Sequence, residues 1–580
     1  MYRGADVPRS FKLRDMGKID TKIKKTVSLF KDRGAKGVCD RAYYGSLFKK
    51  EPDALVSFEL YDRLTSPTPS QVKRWLKEVA ELGNGLPVRF HIVMIQGEGE
   101  AAEEAAKKSL ELQIYPYTSF ECAAEDEAGD VLSKAATGSG DDYVLIVRAG
   151  DTFRSDYLYR AYRFILRHRD AQIIYTDDVS CETHFKPDFS CEYLCAYNYI
   201  GESFFVKAQL PGELRGRFDA YDLLLKSAAA GRRFAHARGL CYTARGDHKS
   251  ELSQEERTEL VRAVYEKRLG LKNISISQEN GIVSVRAHAK ASISVIIPNK
   301  DHVDDLLTCL KSLAMQSIAG DLEVIIAENN SARQETEEFY AKLSDREADA
   351  FPKELKNLGS IIVVRVPVNG FNYSFINNYA AKEACGEYLL LLNNDVELKG
   401  SDSLEALLGA ACARGVGAAG ARLLYPDGTV QHAGVVIGMG GAADHIYRGC
   451  ADNGYLNGVA CAREVSAVTA ACMMVRRDAF FEAGGFDEGL AVNFNDIDLC
   501  IRLREAGWRI VYRPECTGVH YESKSRQPGG GEGYISELNR FRTRHKELLK
   551  RSDPFYSPAL TYSRGDFSCA NPFIFENSEC

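Results

Sequence analysis

The sequence predicts an α/β protein made of two successive open-sheet units. Short apolar runs without polar alternation, as in strands buried on both faces, end abruptly in polar residues. Such runs alternate with helical stretches twice, once from Pro87 and again from Ser292. Three segments of the first run also recur in the second in the same order: residues 108–113 with 311–316, 142–147 with 387–392, and 218–223 with 494–499. Chance does not preserve order, so a duplicated domain is expected.

A chain of 580 residues exceeds the ~250–300 that one core supports. Its 45% hydrophobic and 27% charged residues are ordinary for a soluble protein. No apolar run approaches the ~18 residues of a membrane span, and the N-terminus has no signal-like apolar region. The sixteen cysteines are scattered without CxxC pairs, so neither a zinc site nor a disulfide framework is expected. A cytoplasmic chain with reduced thiols follows, and no nucleic-acid partner is expected. The net charge of −7 is uneven: residues 1–50 carry fourteen Lys and Arg against five Asp, leaving −16 for the rest. Such a leader fits peripheral attachment to the anionic inner face of a membrane, or a solvated helical face.

Residues 1–85 read as a basic helical extension. Within it, 70–82 (SQVKRWLKEVAEL) put Val72, Trp75, Leu76 and Val79 at helical spacing behind a cap at Ser70. Residues 86–250 form the first unit: a strand from Val88, a helix over 101–112, and strands beginning near Asp141 and Ala171. A helical linker over 251–291, with an amphipathic helix at 254–269, leads to the second unit, 292–530. An extension, 531–580, follows.

The second unit holds the better chemistry, centred on residues 385–397 (CGEYLLLLNNDVE). The strand at 388–392 stops at Asn393-Asn394-Asp395. Ligands in open α/β sheets bind beyond the carboxyl ends of strands. A carboxylate beside two carboxamides there suits a hard divalent cation bridging phosphate oxygens; a plain turn is the alternative. The first strand ends in Pro298, Asn299, Lys300 and Asp301, and the next in Glu328, Asn329 and Asn330. Glu328 fits either a bond to a nucleoside or a turn cap. Asp496 and Asp498 open a helix, where the dipole favours carboxylates, and Asp496 also fits a general base. His520 is followed by Ser523, Lys524, Ser525 and Arg526 and a Gly-rich break at 529–533, a segment able to grip a metal-diphosphate or simply a basic surface loop.

Taken together these pieces resemble the family-2 glycosyltransferases, inverting enzymes of the GT-A fold. The motifs are IPNKD at Ile297, EVIIAENNS at Glu323, FNYSFINN at Phe371, LLNNDVEL at Leu391 and YPDGTVQHAG at Tyr425. SAVTAACMMV at Ser466, GGFDE at Gly484, FNDIDLC at Phe494 and HYESKSR at His520 complete the set. The likeness covers about 86–580, most strongly from 292, and is closest to bacterial members that build rhamnan-type or other cell-surface polysaccharides. It implies two tandem GT-A (Rossmann-like) domains and a nucleotide-sugar-dependent, hexosyltransferase-type activity.

By the same resemblance Asp395 and His520 would hold Mg²⁺ or Mn²⁺. Pro298, Asn299, Glu328, Asn372 and Asn393 would line the nucleoside-diphosphate sugar site, closed by Ser525 and Arg526. Gly485, Phe486 and Asp487 would meet the acceptor, a glycan or polyprenyl-linked saccharide, and Asp496 would take its proton. This chain departs from many relatives in having Asn393-Asn394-Asp395 for Asp-x-Asp and Asn495-Asp496 for Glu-Asp. The first copy looks degenerate, with Arg148-Ala149-Gly150 at the metal position and Ala220 at the base position. Nucleotidyltransfer would want a Gly-rich basic loop after the first strand, where this chain has the acidic NKDHVDD. A non-catalytic sugar-nucleotide or glycan-binding scaffold is the remaining alternative.

Overall fold

A computed structural model describes residues 57–570, apart from 84, 98, 136–140, 181, 203, 210–216, 247–249, 347 and 522–531. The basic leader at 1–50, Ser525 and Arg526 lie outside the described residues. Among the described residues two helices come first, α1 (Phe58–Thr65) and α2 (Pro69–Leu82). Thr68, not Ser70, caps α2: its hydroxyl accepts from Gln71 N while Gln71 Oε1 accepts from Thr68 N, and Pro69 takes the first helical position. Trp75 stacks on Tyr159, in the helix at Tyr157–Arg167, at 4.7 Å, which packs α2 against that helix.

That sheet contains β1 (Arg89–Ile95), β2 (Ser119–Ala123), β3 (Asp142–Arg148), β4 (Thr152–Phe153), β5 (Ile173–Val179), β6 (Phe204–Lys207) and β7 (Phe234–Thr243). Their order is β2-β1-β3-β6-β5-β7-β4. The connecting helices include α3 (Glu100–Glu111), α4 (Tyr157–Arg167) and α5 (Ala220–Ala229). Apolar clusters cover both faces, which is why the strands read as continuous hydrophobic runs.

The linker is only partly helical. After α6 (Gln254–Val264) and a π-turn, residues 274–287 form an antiparallel hairpin of β8 (Ile274–Glu279) and β9 (Ile282–Ala287). Its turn is Asn280-Gly281, both at positive φ (49° and 81°), the conformation a tight two-residue hairpin requires. The alternation ISISQE-NG-IVSVRA is the signal that the helical reading passed over.

The second sheet contains β10 (Ile293–Asn299), β11 (Leu322–Glu328), β12 (Ser360–Arg365), β13 (Tyr388–Leu392), β14 (Val396–Lys399), β15 (Val416–Leu424), β16 (Val430–His432), β17 (Cys472–Arg476) and β18 (Arg509–His520). Around it lie α7 (Val303–Ala314), α8 (Tyr373–Ala381), α9 (Ser403–Ala411), α10 (Asn495–Glu505) and α11 (Glu532–Arg544). The strand order is β12-β11-β10-β13-β17-β15-β18-β14, with β16 on β15. Without the edge strand β12, this path retraces the first sheet in both spatial and chain order.

Finer details repeat as well. Gln113 bonds the carbonyls of Ser109 (3.0 Å) and Arg154 (2.9 Å) and accepts from Leu158 N (2.9 Å). Gln316 bonds those of Ser312 (3.0 Å) and Gly400 (2.7 Å) and accepts from Leu404 N (3.0 Å). The last strand of each sheet bulges at the equivalent place, between the pairs Thr176↔Ala237 and Asp177↔Cys241, and between Ala421↔Arg513 and Arg422↔Thr517. In the second sheet this bulge swings the end of β18 across to pair with β14. The α/β class expected from the sequence is what the structure shows. Among the described residues no helix is long and apolar enough to cross a membrane.

Candidate functional site

The carboxyl ends of β10 and β13, the end of β18 and the first turn of α10 surround one cavity of about 970 Å³. Register places the key pair: β14 and β18 run antiparallel with Val396 opposite His520, so the imidazole falls beside Asp395 at the start of β14. His520 Nε2 is 3.2 Å from Asp395 Oδ1, and Asn393 Nδ2 is 3.4 Å from the same nitrogen. On the other edge of His520, Nδ1 is 2.8 Å from Gln431 Oε1. Asn394 joins the strand ends, donating to Asn299 Oδ1 at 2.7 Å, while Asn299 donates to Asp301 O (2.9 Å) and Tyr340 OH (2.8 Å).

Asp496 stands in the wall contributed by α10. Phe494, just before that helix, has φ 63°, a left-handed conformation costly for a bulky side chain, and its ring stacks on Phe541 at 5.0 Å. Asp496 Oδ2 accepts from Ala470 N at 3.1 Å, and its half-buried carboxylate lines the cavity. Asp498 points the other way and is fully buried. It accepts from Arg502 Nε (2.8 Å) and meets His545 Nε2 at 2.8 Å. Burial pushes the Asp498 carboxyl up, but the His545 hydrogen bond and the Arg502 and Arg544 charges outweigh it and hold it below the usual carboxylate range. Tyr373, close to both Asp496 and Asp395, has its phenol raised by burial first and by those carboxylates second. It stays a neutral donor, to Ala470 O at 3.0 Å.

Among the described residues no three His, Cys, Asp or Glu side chains gather as a metal cage. Asp395 and His520 nevertheless fit a cation shared with a substrate. Mg²⁺ and Mn²⁺ favour octahedral surroundings, and Mg²⁺ on phosphates commonly takes only one or two protein ligands. Adjacent donors ~2.1 Å from an octahedral ion lie about 3.0 Å apart, close to the 3.2 Å here.

Pro298, Asn299, Asn393, Asp395, Asp496 and His520 therefore share one cavity. Others do not. Glu328 is buried, with its oxygens taken by Ser331 N, by Ser331 Oγ (2.7 Å) and by Tyr340 OH (2.6 Å). It braces the floor and has no open face for a nucleoside. Asn372 caps α8, accepting from Phe375 N (2.9 Å) and donating to Glu488 O (2.9 Å). Gly485, Phe486 and Asp487 line a separate, shallower hollow. Phe486 is buried against Phe480 and Tyr373, and Asp487 is paired with Arg540 and Arg544, both at 2.9 Å. A further part of the cavity wall comes from α11, through Tyr534, Leu538 and Arg542. Sequence reading also missed Gln431, although it lies in the YPDGTVQHAG motif, and His445, whose imidazole is pushed down by burial and by Arg448.

At the first sheet, the position matching Asn393 is held by Arg148. Arg148 ends β3 and is clamped between Glu202 and Glu125, the latter at 3.0 Å. Burial disfavours its charge, but these two carboxylates raise it overall.

Residues 294–482 match the model of Glycosyl transferase family 2. The chain carries a family-2 glycosyltransferase domain. This domain holds Asn299, Asn393, Asp395 and Gln431, while Asp496 and His520 lie just beyond the matched segment. The chain is 33% identical over 469 residues to the uncharacterized protein y4gI of Sinorhizobium fredii, covering 74% of this chain and 50% of that one. It is 30% identical over 492 residues to the O-antigen biosynthesis protein RfbC of Myxococcus xanthus, covering 80% and 37%. A shorter stretch of 63 residues is 41% identical to the N-acetylglucosaminyl-diphospho-decaprenol L-rhamnosyltransferase of Mycobacterium tuberculosis, covering 11% and 20%. The chain thus spans half or less of the length of these relatives.

Proposed function

We propose that this chain is an inverting, divalent-metal-dependent glycosyltransferase that moves a sugar from a nucleoside diphosphate to a hydroxyl of a cell-surface or lipid-linked glycan. The observation that carries the reading is one cavity with the Asp395–His520 pair at the strand ends and the Asp496 carboxylate in a second wall. The nucleotide would lie toward Pro298, Asn299 and Lys300, and the acceptor toward α11. The cation, held by Asp395 and His520, would offset charge on the departing diphosphate. Asp496 takes the proton of the acceptor hydroxyl as its oxygen bonds to the anomeric carbon. The bond from that carbon to the diphosphate oxygen breaks with its electron pair, and the nucleoside diphosphate leaves. One displacement inverts the anomeric centre, and no covalent enzyme intermediate is needed. The Ala470 amide and the neutral Tyr373 hold this corner in place.

The family match and the relatives' names support the sugar-transfer class, and the rhamnosyltransferase name of the Mycobacterium tuberculosis relative makes a nucleoside-diphosphate rhamnose the first donor to test. We read the first sheet as a non-catalytic copy, because Gly150 stands at the metal position, with Arg148 and its two glutamates beside it, and Ala220 at the base position. Peripheral attachment through the basic leader belongs to the same proposal. The test is a panel of nucleotide sugars with Mn²⁺ on the full chain and on Asp395→Ala. Metal-dependent turnover should vanish in the variant while its melting curve stays cooperative. Wild-type turnover by the variant would overturn the site, and residual transfer traced to the first half would overturn its inert role.

A further inference from the structure

We propose that Gln431 is the positioning residue that sets the tautomer and orientation of His520 at the cation site, an inference that rests on Asp395 and His520 sharing a divalent ion. β16 pairs with β15 through Leu423↔His432 and Leu424↔Val430, so two steps along β16 match one along β15. Gln431 is the extra residue of that bulge, a device that re-aims a side chain out of the regular ladder. Its side chain is buried and sends Oε1 to 2.8 Å from His520 Nδ1. Its main-chain carbonyl is 3.1 Å from Nδ1 of His445, a second imidazole of the cavity. One bulged residue thus addresses two histidines.

The chemistry follows from the imidazole. Nε2 can ligate a cation only with its lone pair exposed, which leaves the proton on Nδ1. A carbonyl oxygen facing Nδ1 accepts that proton's hydrogen bond and selects the required tautomer. It also fixes the ring plane, so that Nε2 faces Asp395 Oδ1 at 3.2 Å. The amide supplies an acceptor without adding a buried charge beside the ligands.

The test is Mn²⁺ binding to the full chain, followed by the electron paramagnetic resonance of free Mn²⁺ with nucleoside diphosphate present, for wild type, Gln431→Leu and Gln431→Glu. Leu keeps bulk but removes the acceptor and should weaken Mn²⁺ roughly 10–100-fold, the range for losing such an outer partner. Glu restores an acceptor and should recover most of that loss, which a merely structural role would not produce. Equal Mn²⁺ affinity of Gln431→Leu and wild type overturns the inference. Absence of Mn²⁺ binding by the wild type overturns the metal reading beneath it. A ¹⁵N-histidine correlation spectrum of the wild type with Mg²⁺ and nucleoside diphosphate, compared with His520→Asn for assignment, needs no Gln431 variant. It should place the His520 proton on Nδ1, and a proton on Nε2 overturns the proposal.

Discussion

Asp496 and Asp498 stand two positions apart on α10, which turns their side chains about 200° from one another. Asp496 has an edge in the cavity, whereas Asp498 is sealed against Arg502 and His545. Asp496→Asn should therefore lower kcat by about 10²–10⁴, the scale of one general base, with donor and Mn²⁺ affinity nearly unchanged. Asp498→Asn should instead destabilise the fold by roughly 3–5 kcal/mol, because Arg502 loses its buried counter-charge. Separate measurement of kcat, donor affinity and unfolding decides the matter; a catalytic loss confined to Asp498→Asn would move the base. At this scale the sequence exposed Asn299, Asp395, Asp496 and His520, since each ends a strand or opens a helix. It allowed Glu328 a turn-cap role, which the bonds to Ser331 fit, but could not show that Tyr340 donates to it as well or that Gln431 is turned by a bulge. Both depend on partners that pattern alone does not pair.

At the scale of elements, α11 is fastened by charge and presents its other face to the cavity. Glu537 accepts from Val492 N (3.1 Å) and Asn493 N (2.8 Å), and Arg540 and Arg544 clamp Asp487. Tyr534, Leu538 and Arg542 follow one another at four-residue intervals and so share the face that lines the cavity. If this face reads the acceptor, Tyr534→Ala and Arg542→Ala should each raise acceptor KM about 3–10-fold, corresponding to the loss of ~1 kcal/mol of contact. Donor affinity should hold. Acceptor titrations at saturating donor, with donor binding measured apart, check this; a change in donor binding alone would place α11 on the nucleotide side. The strands were legible because buried parallel strands carry unbroken apolar runs. The hairpin at 274–287 was masked by its position after a long amphipathic helix, despite its alternation and Asn280-Gly281 turn. Its base abuts α9 closely: a Cβ on Gly409 would come within 2.3 Å of Ala287 O.

Across the whole molecule, the first unit meets the second unit and its C-terminal extension through polar groups that neither side satisfies alone. Tyr455 OH donates to Thr183 O at 2.9 Å, Tyr193 OH to Leu456 O at 2.6 Å, and Arg238 reaches Ser552 Oγ and Pro554 O at 2.9 Å each. The duplicated pattern was readable from three ordered matches, but this seam was not, because its partners lie more than 250 residues apart in sequence. At its centre Arg509 serves two carboxylates, Glu192 at 2.7 Å and Glu464 at 3.0 Å. One guanidinium cannot fully offset two buried negative charges. Burial, with Glu192 adding to it against the pull of Arg509, pushes the Glu464 carboxyl up to about 7. The sign of the consequence is fixed by where the proton resides. An unfolded Glu releases it near pH ~4.3, so between about 4.3 and 7 the folded chain holds a proton that the unfolded chain has lost. This group's contribution to stability therefore falls as pH rises through that window and levels off above it. Glu464→Gln removes the titration, and its neutral amide can still accept from Arg509. The variant should match the wild type near pH 4 and exceed it at pH 8 by up to about 4 kcal/mol, the equivalent of the shift. Melting temperatures of both proteins from pH 4 to 8 provide the check. A variant less stable than wild type by the same margin at every pH would mean that Arg509 satisfies both glutamates and the seam carries no excess charge.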